Sequence, residues 1–260
     1  MIRTPVTVDP ESYPAPFRPF LQNTRVFDSS CSTEARVLYL ERENCFLKRA
    51  PKGSLQAEAQ MDAYFHTLGL TAPVLCYHSG TEDLLLTARV AGEDCTHADY
   101  LADPVRLCDT IAERLRALHE LTAENCPVPD RMQAYFASVR DGIAQDRFDS
   151  TFLPVHLRTL TAQKAAELLQ DAPALFTSDT LLHGDYCLPN ILLDGWDFSG
   201  FIDLGNGGIG DRHVDLFWGA WTLGFNLHTE AYRERFFDAY GRDKVDLEKL
   251  DLIAVAECFA

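Results

Sequence analysis

The chain has 260 residues, 47% of them hydrophobic and 24% charged, which is ordinary for a globular protein and enough for one large domain or two lobes. A formal net charge of −16 argues against binding DNA, RNA or an anionic membrane through a basic surface, and no stretch approaches the ~18 apolar residues of a membrane span. The eight cysteines are scattered without a Cys-x-x-Cys pair and the Pro-rich start lacks a signal-peptide layout, so free thiols, no zinc site and a cytoplasmic location are expected.

Residues 1–30 read as a loosely structured lead-in anchored by Tyr13, Phe17 and Phe20. The polar run 28–33 has hydroxyls and backbone N–H groups that suit phosphate capping, with Ser30 and Ser32 as candidates, but it contains no glycine and so no G-x-G-x-x-G loop. Residues 37–40 and 45–47 are expected strands around the polar turn 41–44. Lys48 ends the second, where its ammonium can leave an apolar strand and neutralise nucleotide phosphates. Residues 55–68 carry apolar side chains at helical spacing (Met61, Phe65, Leu68), and Glu58 in that helix is placed to hold Lys48 by an ion pair. Two further strands, 74–78 and 84–87, flank a turn. The linker that follows, through Ala88 and Val90, is positioned to offer backbone groups to a flat base.

After residue 91 the pattern becomes helical, with 104–121 clearest (Cys108, Ile111, Leu115 and Leu118 on one face), then 158–170, 231–240 and 247–259. A strand-rich domain 1–90 followed by a mostly helical domain 91–260 implies an α+β, two-lobed architecture with a cleft between the lobes. Residues 1–90 carry 9 Lys/Arg against 10 Asp/Glu, and residues 91–260 carry 14 against 29. An acidic second part fits a cationic small-molecule partner.

The most informative segment is His183-Gly184-Asp185-Tyr186-Cys187-Leu188-Pro189-Asn190, then a hairpin with an Asp-Gly turn, then Ile202-Asp203-Leu204-Gly205. Phosphoryl transfer needs a group that orients the attacking hydroxyl and oxygen ligands for Mg²⁺ on the phosphates. Asp185 suits the first role. Asn190 and Asp203 suit the second, and the hairpin is expected to return Asp203 to Asn190. Further on, Asp211 suits a helix N-cap, and Asp215 suits a buried acceptor for backbone N–H groups of the 183–190 loop. His183 is expected to brace that loop, and Cys187 to be an inert thiol.

H-G-D-x-x-x-x-N, G-F-I-D-L-G and G-D-R-x-x-D-L together resemble the aminoglycoside phosphotransferase family, most of all its 3′-phosphotransferase branch. The resemblance covers most of residues 32–259 and is weak over 125–175. It implies a protein-kinase-like fold, with a small antiparallel β-rich N-lobe and a larger helical C-lobe, and use of ATP (or GTP) with Mg²⁺. It also implies transfer to a hydroxyl of an aminoglycoside. Carried over, Lys48 contacts the phosphates, Glu58 positions it, and the backbone at Ala88 and Val90 meets adenine. Asp185 is the base, Asn190 and Asp203 hold magnesium, and Glu257 faces the acceptor. Asp146 and Asp149 are further acidic candidates for substrate ammonium groups. Asn206 is a further candidate for acceptor contact, although it stands where the family usually has Arg, and Ala256 replaces an acid beside Glu257. A housekeeping kinase for an amino alcohol or sugar, or a nucleotide-binding regulator, is the alternative function.

Overall fold

The computed structural model describes residues 4–31 and 35–260, and the chain divides into two compact units. The first runs to Gly92 and takes back Ser199–Gly205; the second comprises Glu93–Phe198 and Asn206–Ala260.

In the first unit β1 (Thr4–Val6), α1 (Arg18–Leu21), β2 (Val26–Asp28), β3 (Arg36–Leu40) and β4 (Cys45–Pro51) precede α2 (Gln56–Thr67), β5 (Val74–Ser79) and β6 (Glu82–Ala88). The strands form one sheet in the order β1-β2-β3-β4-β6-β5, with antiparallel pairing throughout. Side chains alternate across a strand, so β4 feeds two cores. Cys45 and Leu47 join Leu38, Leu40, Leu84 and Leu86 on one face. Ala50 joins Leu85 on the other, against Leu55 and Ala59 at the start of α2. Residues 4–30 are not a loose lead-in. They supply two strands of the sheet, and Tyr13, Phe17 and Leu21 complete its first core, with Phe17 fully buried. Tyr13, Phe17 and Phe20 do anchor the segment, and burying that much aromatic surface is what orders it.

The second unit contains β7 (Glu93–Asp94), α3 (Ala98–Leu101), α4 (Pro104–His119), α5 (Arg131–Ala144), α6 (Ala162–Leu168), β8 (Thr180–Leu182) and β9 (Ile191–Asp194). β10 (Asp197–Phe201) carries the chain into the first unit, and β11 (Gly208–Gly210) follows its return. α7 (His213–Leu227), α8 (Arg233–Tyr240) and α9 (Leu247–Glu257) complete it. Pro104 sits in the first turn of α4 and Asp103 caps it by accepting from Arg106 N–H. The expected face (Cys108, Ile111, Leu115, Leu118) is buried, and α4 packs on α7 and α8. The helix expected at 158–170 is shorter because Thr161 caps it, its hydroxyl accepting from Lys164 N–H. α5 was not expected. Its burial comes from Met132, Tyr135, Phe136 and Val139, an aromatic-rich face that reads weakly as a helix. Among the described residues no helix is long and apolar enough to cross a membrane.

Candidate active site

In the first unit, Lys48 lies on the α2 face of the sheet, opposite the core that Cys45 and Leu47 enter. Its ammonium is 2.9 and 2.8 Å from the two Glu58 oxygens and 2.9 Å from Asp203 Oδ1. Burial alone would lower the Lys48 pKa, but Asp203 and Glu58 outweigh it and hold the group above its ordinary range. For Glu58 burial prevails over the attraction of Lys48, and its pKa is raised.

Asp203 reaches this place because residues 199–205 are stitched to the unit. Phe201 N–H donates to the Leu70 carbonyl at 2.8 Å, Thr71 Oγ1 donates to the Phe201 carbonyl at 2.7 Å, and the Phe201 ring meets Phe65 edge-on at 6.3 Å. Asp203 itself has φ 58°, a left-handed conformation that a non-glycine residue adopts at a cost of about 1 kcal/mol or more.

A fourth charge-bearing side chain escaped the sequence reading. Asp62, one turn after Glu58 on α2, is buried, and burial, then Glu58 and Asp203, push its carboxyl up to about 8. Its i+4 spacing from Glu58 was the available signal.

The backbone N–H of Ala88 is taken by the Pro73 carbonyl at 3.0 Å, so Ala88 has its carbonyl to offer. Among the described residues the N–H of Val90 makes no hydrogen bond. Ser30 is occupied locally: its N–H donates to Asp28 Oδ1 at 3.0 Å and its hydroxyl accepts from Val37 N–H at 2.9 Å. Ser32 lies outside the described residues.

In the second unit, Asp185 leaves β8 in a loop held from behind by Asp215. That carboxylate is fully buried and accepts from His183 N–H at 2.8 Å, Gly184 N–H at 2.7 Å and the His119 ring at 3.1 Å. His183 is also buried and braces the loop as expected, its Nδ1 accepting from Asp185 N–H at 3.3 Å. Gly184 has φ +86°, and a Cβ there would sit 1.8 Å from the Asn206 carbonyl, so no other residue fits. Leu188 N–H donates to Thr222 Oγ1 on α7 at 3.1 Å. Asn190 donates its amide nitrogen to the Asp185 carboxylate at 2.9 Å and to the Asp185 carbonyl at 3.0 Å. The amide is thereby oriented, and its oxygen is the atom left to offer a cation. Burial pushes the Cys187 thiol far above its ordinary value, which keeps it inert. Asp211 departs from the simple N-cap expectation. Arg212 occupies the cap position of α7, while Asp211, buried, accepts from His213 N–H at 3.0 Å and pairs with Lys249 at 2.9 Å.

Glu257 ends α9 in a buried position. Tyr135 on α5 donates its hydroxyl to Glu257 Oε1 at 2.9 Å. Burial pushes the Glu257 carboxyl up to about 7 against the Tyr135 hydroxyl; Asp185 adds to the rise, while the Trp218 indole and Arg131 oppose it. Close approach is needed here as well: a Cβ on Gly142 of α5 would lie 1.8 Å from the Phe259 carbonyl. Arg131 donates to Asn206 Oδ1 at 2.5 Å, so Asn206 is spent holding a guanidinium from α5. Ala256 is fully buried. Asp149 is exposed and caps a short turn, its carboxylate accepting from Thr151 N–H at 2.9 Å and Thr151 Oγ1 at 2.7 Å, while its own N–H donates to the Cys258 carbonyl. Asp146 is exposed with φ 54°. Tyr135, Arg131 and Trp218 had no signal in the sequence, because tertiary packing alone brings them to Glu257.

The model of the phosphotransferase enzyme family matches residues 27–253. This chain belongs to that family. The chain is 43% identical over 252 residues to a probable aminoglycoside 3′-phosphotransferase of Lactococcus lactis, covering 96% of this chain and 95% of that one. Among solved structures, an aminoglycoside phosphotransferase from Streptomyces rimosus in complex with ADP and streptomycin superimposes with a TM-score of 0.68 at 25% identity, covering 86% and 90% of the two chains. An aminoglycoside 3′-phosphotransferase of type VIII does so with a TM-score of 0.72 at 23% identity, covering 99% and 94%. The kinase-like fold of these phosphotransferases is therefore also that of this phosphotransferase, with its antiparallel sheet in the N-terminal part and its helices in the C-terminal part.

Proposed function

We propose that this phosphotransferase moves the γ-phosphoryl of ATP to a 3′-type hydroxyl of an aminoglycoside, as the name of its Lactococcus relative states for that protein. The observation that carries the reading is the hydrogen bond from the Asn190 amide to the Asp185 carboxylate, on a loop fixed by Asp215. It leaves one carboxylate edge for a hydroxyl proton and one amide oxygen for a metal.

The roles follow from charge. Lys48, kept protonated by Glu58 and Asp203, offsets phosphate charge that would otherwise resist approach of the nucleophile. The Ala88 carbonyl and the Val90 N–H are the backbone groups for the adenine edge. Asp203 and Asn190 each have an oxygen suited to Mg²⁺, a cation that takes oxygen ligands, and when bound it neutralises charge developing on the phosphates. Asp185 orients the acceptor hydroxyl and accepts its proton as the oxygen–phosphorus bond forms and the bond to the ADP oxygen breaks. Glu257, when ionised, pairs with an acceptor ammonium. Asp146 is open for a second pair, and Asp149 is the weaker candidate because its carboxylate is already engaged. With 29 Asp/Glu against 14 Lys/Arg, residues 91–260 serve the cation, and a cytoplasmic location fits a donor found there.

Coupled ADP release across a panel of aminoglycosides tests the reading. Kanamycin-like acceptors are expected to stimulate release manyfold over the acceptor-free rate. A panel with no stimulation would transfer the assignment to a kinase of small amino alcohols or sugars.

A further inference from the structure

α7 presents Trp218, Trp221 and Phe225 at i, i+3 and i+7, one face of the helix. Trp221 stacks on Phe225 with centroids 5.0 Å apart and planes 13° from parallel. Trp218 meets Trp221 edge-on at 5.5 Å, and Phe152 touches both indoles at 5.6 Å. The outermost ring is not core: Phe225 is 62% exposed, and both indoles keep part of their surface. A contiguous aromatic face left in water marks a binding surface more often than scattered apolar residues do.

Its inner end is continuous with the acceptor carboxylate. Trp218 lies on α7, which packs against α9, the helix that ends in Glu257. The same helix holds the catalytic loop through Thr222 and Leu188. Aromatic faces attract ammonium groups and lie well against the C–H face of a saturated ring. A carboxylate at one end and open rings at the other therefore match a protonated aminated ring, in a chain whose net charge is −16.

We propose that Trp218, Trp221, Phe225 and Phe152 form an aromatic shelf that binds an aminated ring of the acceptor, with an ammonium at Glu257 and a C–H face on Trp221 and Phe225. The shelf rests on the aminoglycoside reading above and adds to it that rings, and not carboxylates alone, determine which acceptors bind. Acceptors with a second aminated ring long enough to reach Phe225 gain most.

Steady-state kinetics on Phe225→Ala, Trp221→Ala and Trp221→Phe, each checked for an unchanged melting transition, test it with kanamycin-like acceptors. The acceptor KM is expected to rise about threefold for Phe225→Ala and about tenfold for Trp221→Ala, with KM for ATP unchanged and Trp221→Phe restoring most of the loss. These ratios persist at high salt, whereas the defect of Glu257→Gln shrinks there. Phe225 is mostly exposed, so its truncation keeps the test valid should Trp221→Ala unfold. Wild-type turnover with acceptor KM unchanged in the shelf variants would overturn the shelf alone, as would a Phe225→Ala variant altered only in sedimentation, the mark of a second copy of the chain on this face. Absence of wild-type turnover with every acceptor would overturn the aminoglycoside reading and the shelf with it.

Discussion

Lys48 is a partly buried ammonium matched twice, by the buried Glu58 and by the more exposed Asp203. Replacing Asp203 by Ala removes one counter-charge and one oxygen suited to Mg²⁺. Titration calorimetry is expected to show Mg·ATP affinity falling at least about tenfold, and undiminished affinity would contradict the role given to Asp203. The duty proposed for Asp185 is separable. Asp185→Ala is expected to lower kcat by about 10²–10⁴-fold while ATP binding persists, since a positioned acid or base contributes on that scale. These residues were legible in the sequence because each lies in a short run whose order encodes its neighbours: Lys48 ends a strand, Glu58 follows it in the next helix, and Asn190 stands five residues after Asp185. Asp62, Tyr135 and Arg131 were not legible. Their chemistry depends on what α2, α5 and α9 bury, and a sequence shows an ordinary helical Asp, Tyr or Arg.

At the scale of elements, α9 converts a surface-type residue into a tuned one by ending with Glu257 under Tyr135. Burial raises that carboxyl to about 7, with Asp185 adding to the rise and Tyr135, Trp218 and Arg131 opposing it. Below that pH Glu257 is neutral and cannot pair with a cation; above it the charge is present. The acceptor KM is therefore expected to fall severalfold from pH 6 to pH 8, and Glu257→Gln to flatten that limb of the profile. The stability sign is opposite. A carboxyl raised above its unfolded value of 4.5 favours the fold when protonated, and this contribution is lost as pH rises through about 7. The N-terminal segment shows where periodicity failed. β1 and β2 are three residues each, too short for alternation to register, and tertiary burial of Phe17 decides their order. Phe17→Ala is expected to cost about 3–5 kcal/mol by thermal unfolding, and a negligible loss would restore the loose lead-in.

For the molecule as a whole, the charge is concentrated in residues 91–260, and the family match extends across residues 27–253. The kinase-like fold was legible from the strand-then-helix order and the motif segment together, because the motif names the chemistry and the order names the frame. The packing around Glu257 was less so: α5 and Arg131 come from the stretch where the resemblance is weak, and packing decides what they and the aromatic face of α7 meet. The Asp185 loop is proposed to transfer a phosphoryl group to an aminoglycoside hydroxyl. Mass spectrometry of kanamycin incubated with Mg·ATP and the protein tests it most directly. A product heavier by one phosphoryl group is expected with the wild type, and almost none with Asp185→Ala. Unmodified kanamycin with the wild type, or equal product from Asp185→Ala, would contradict it.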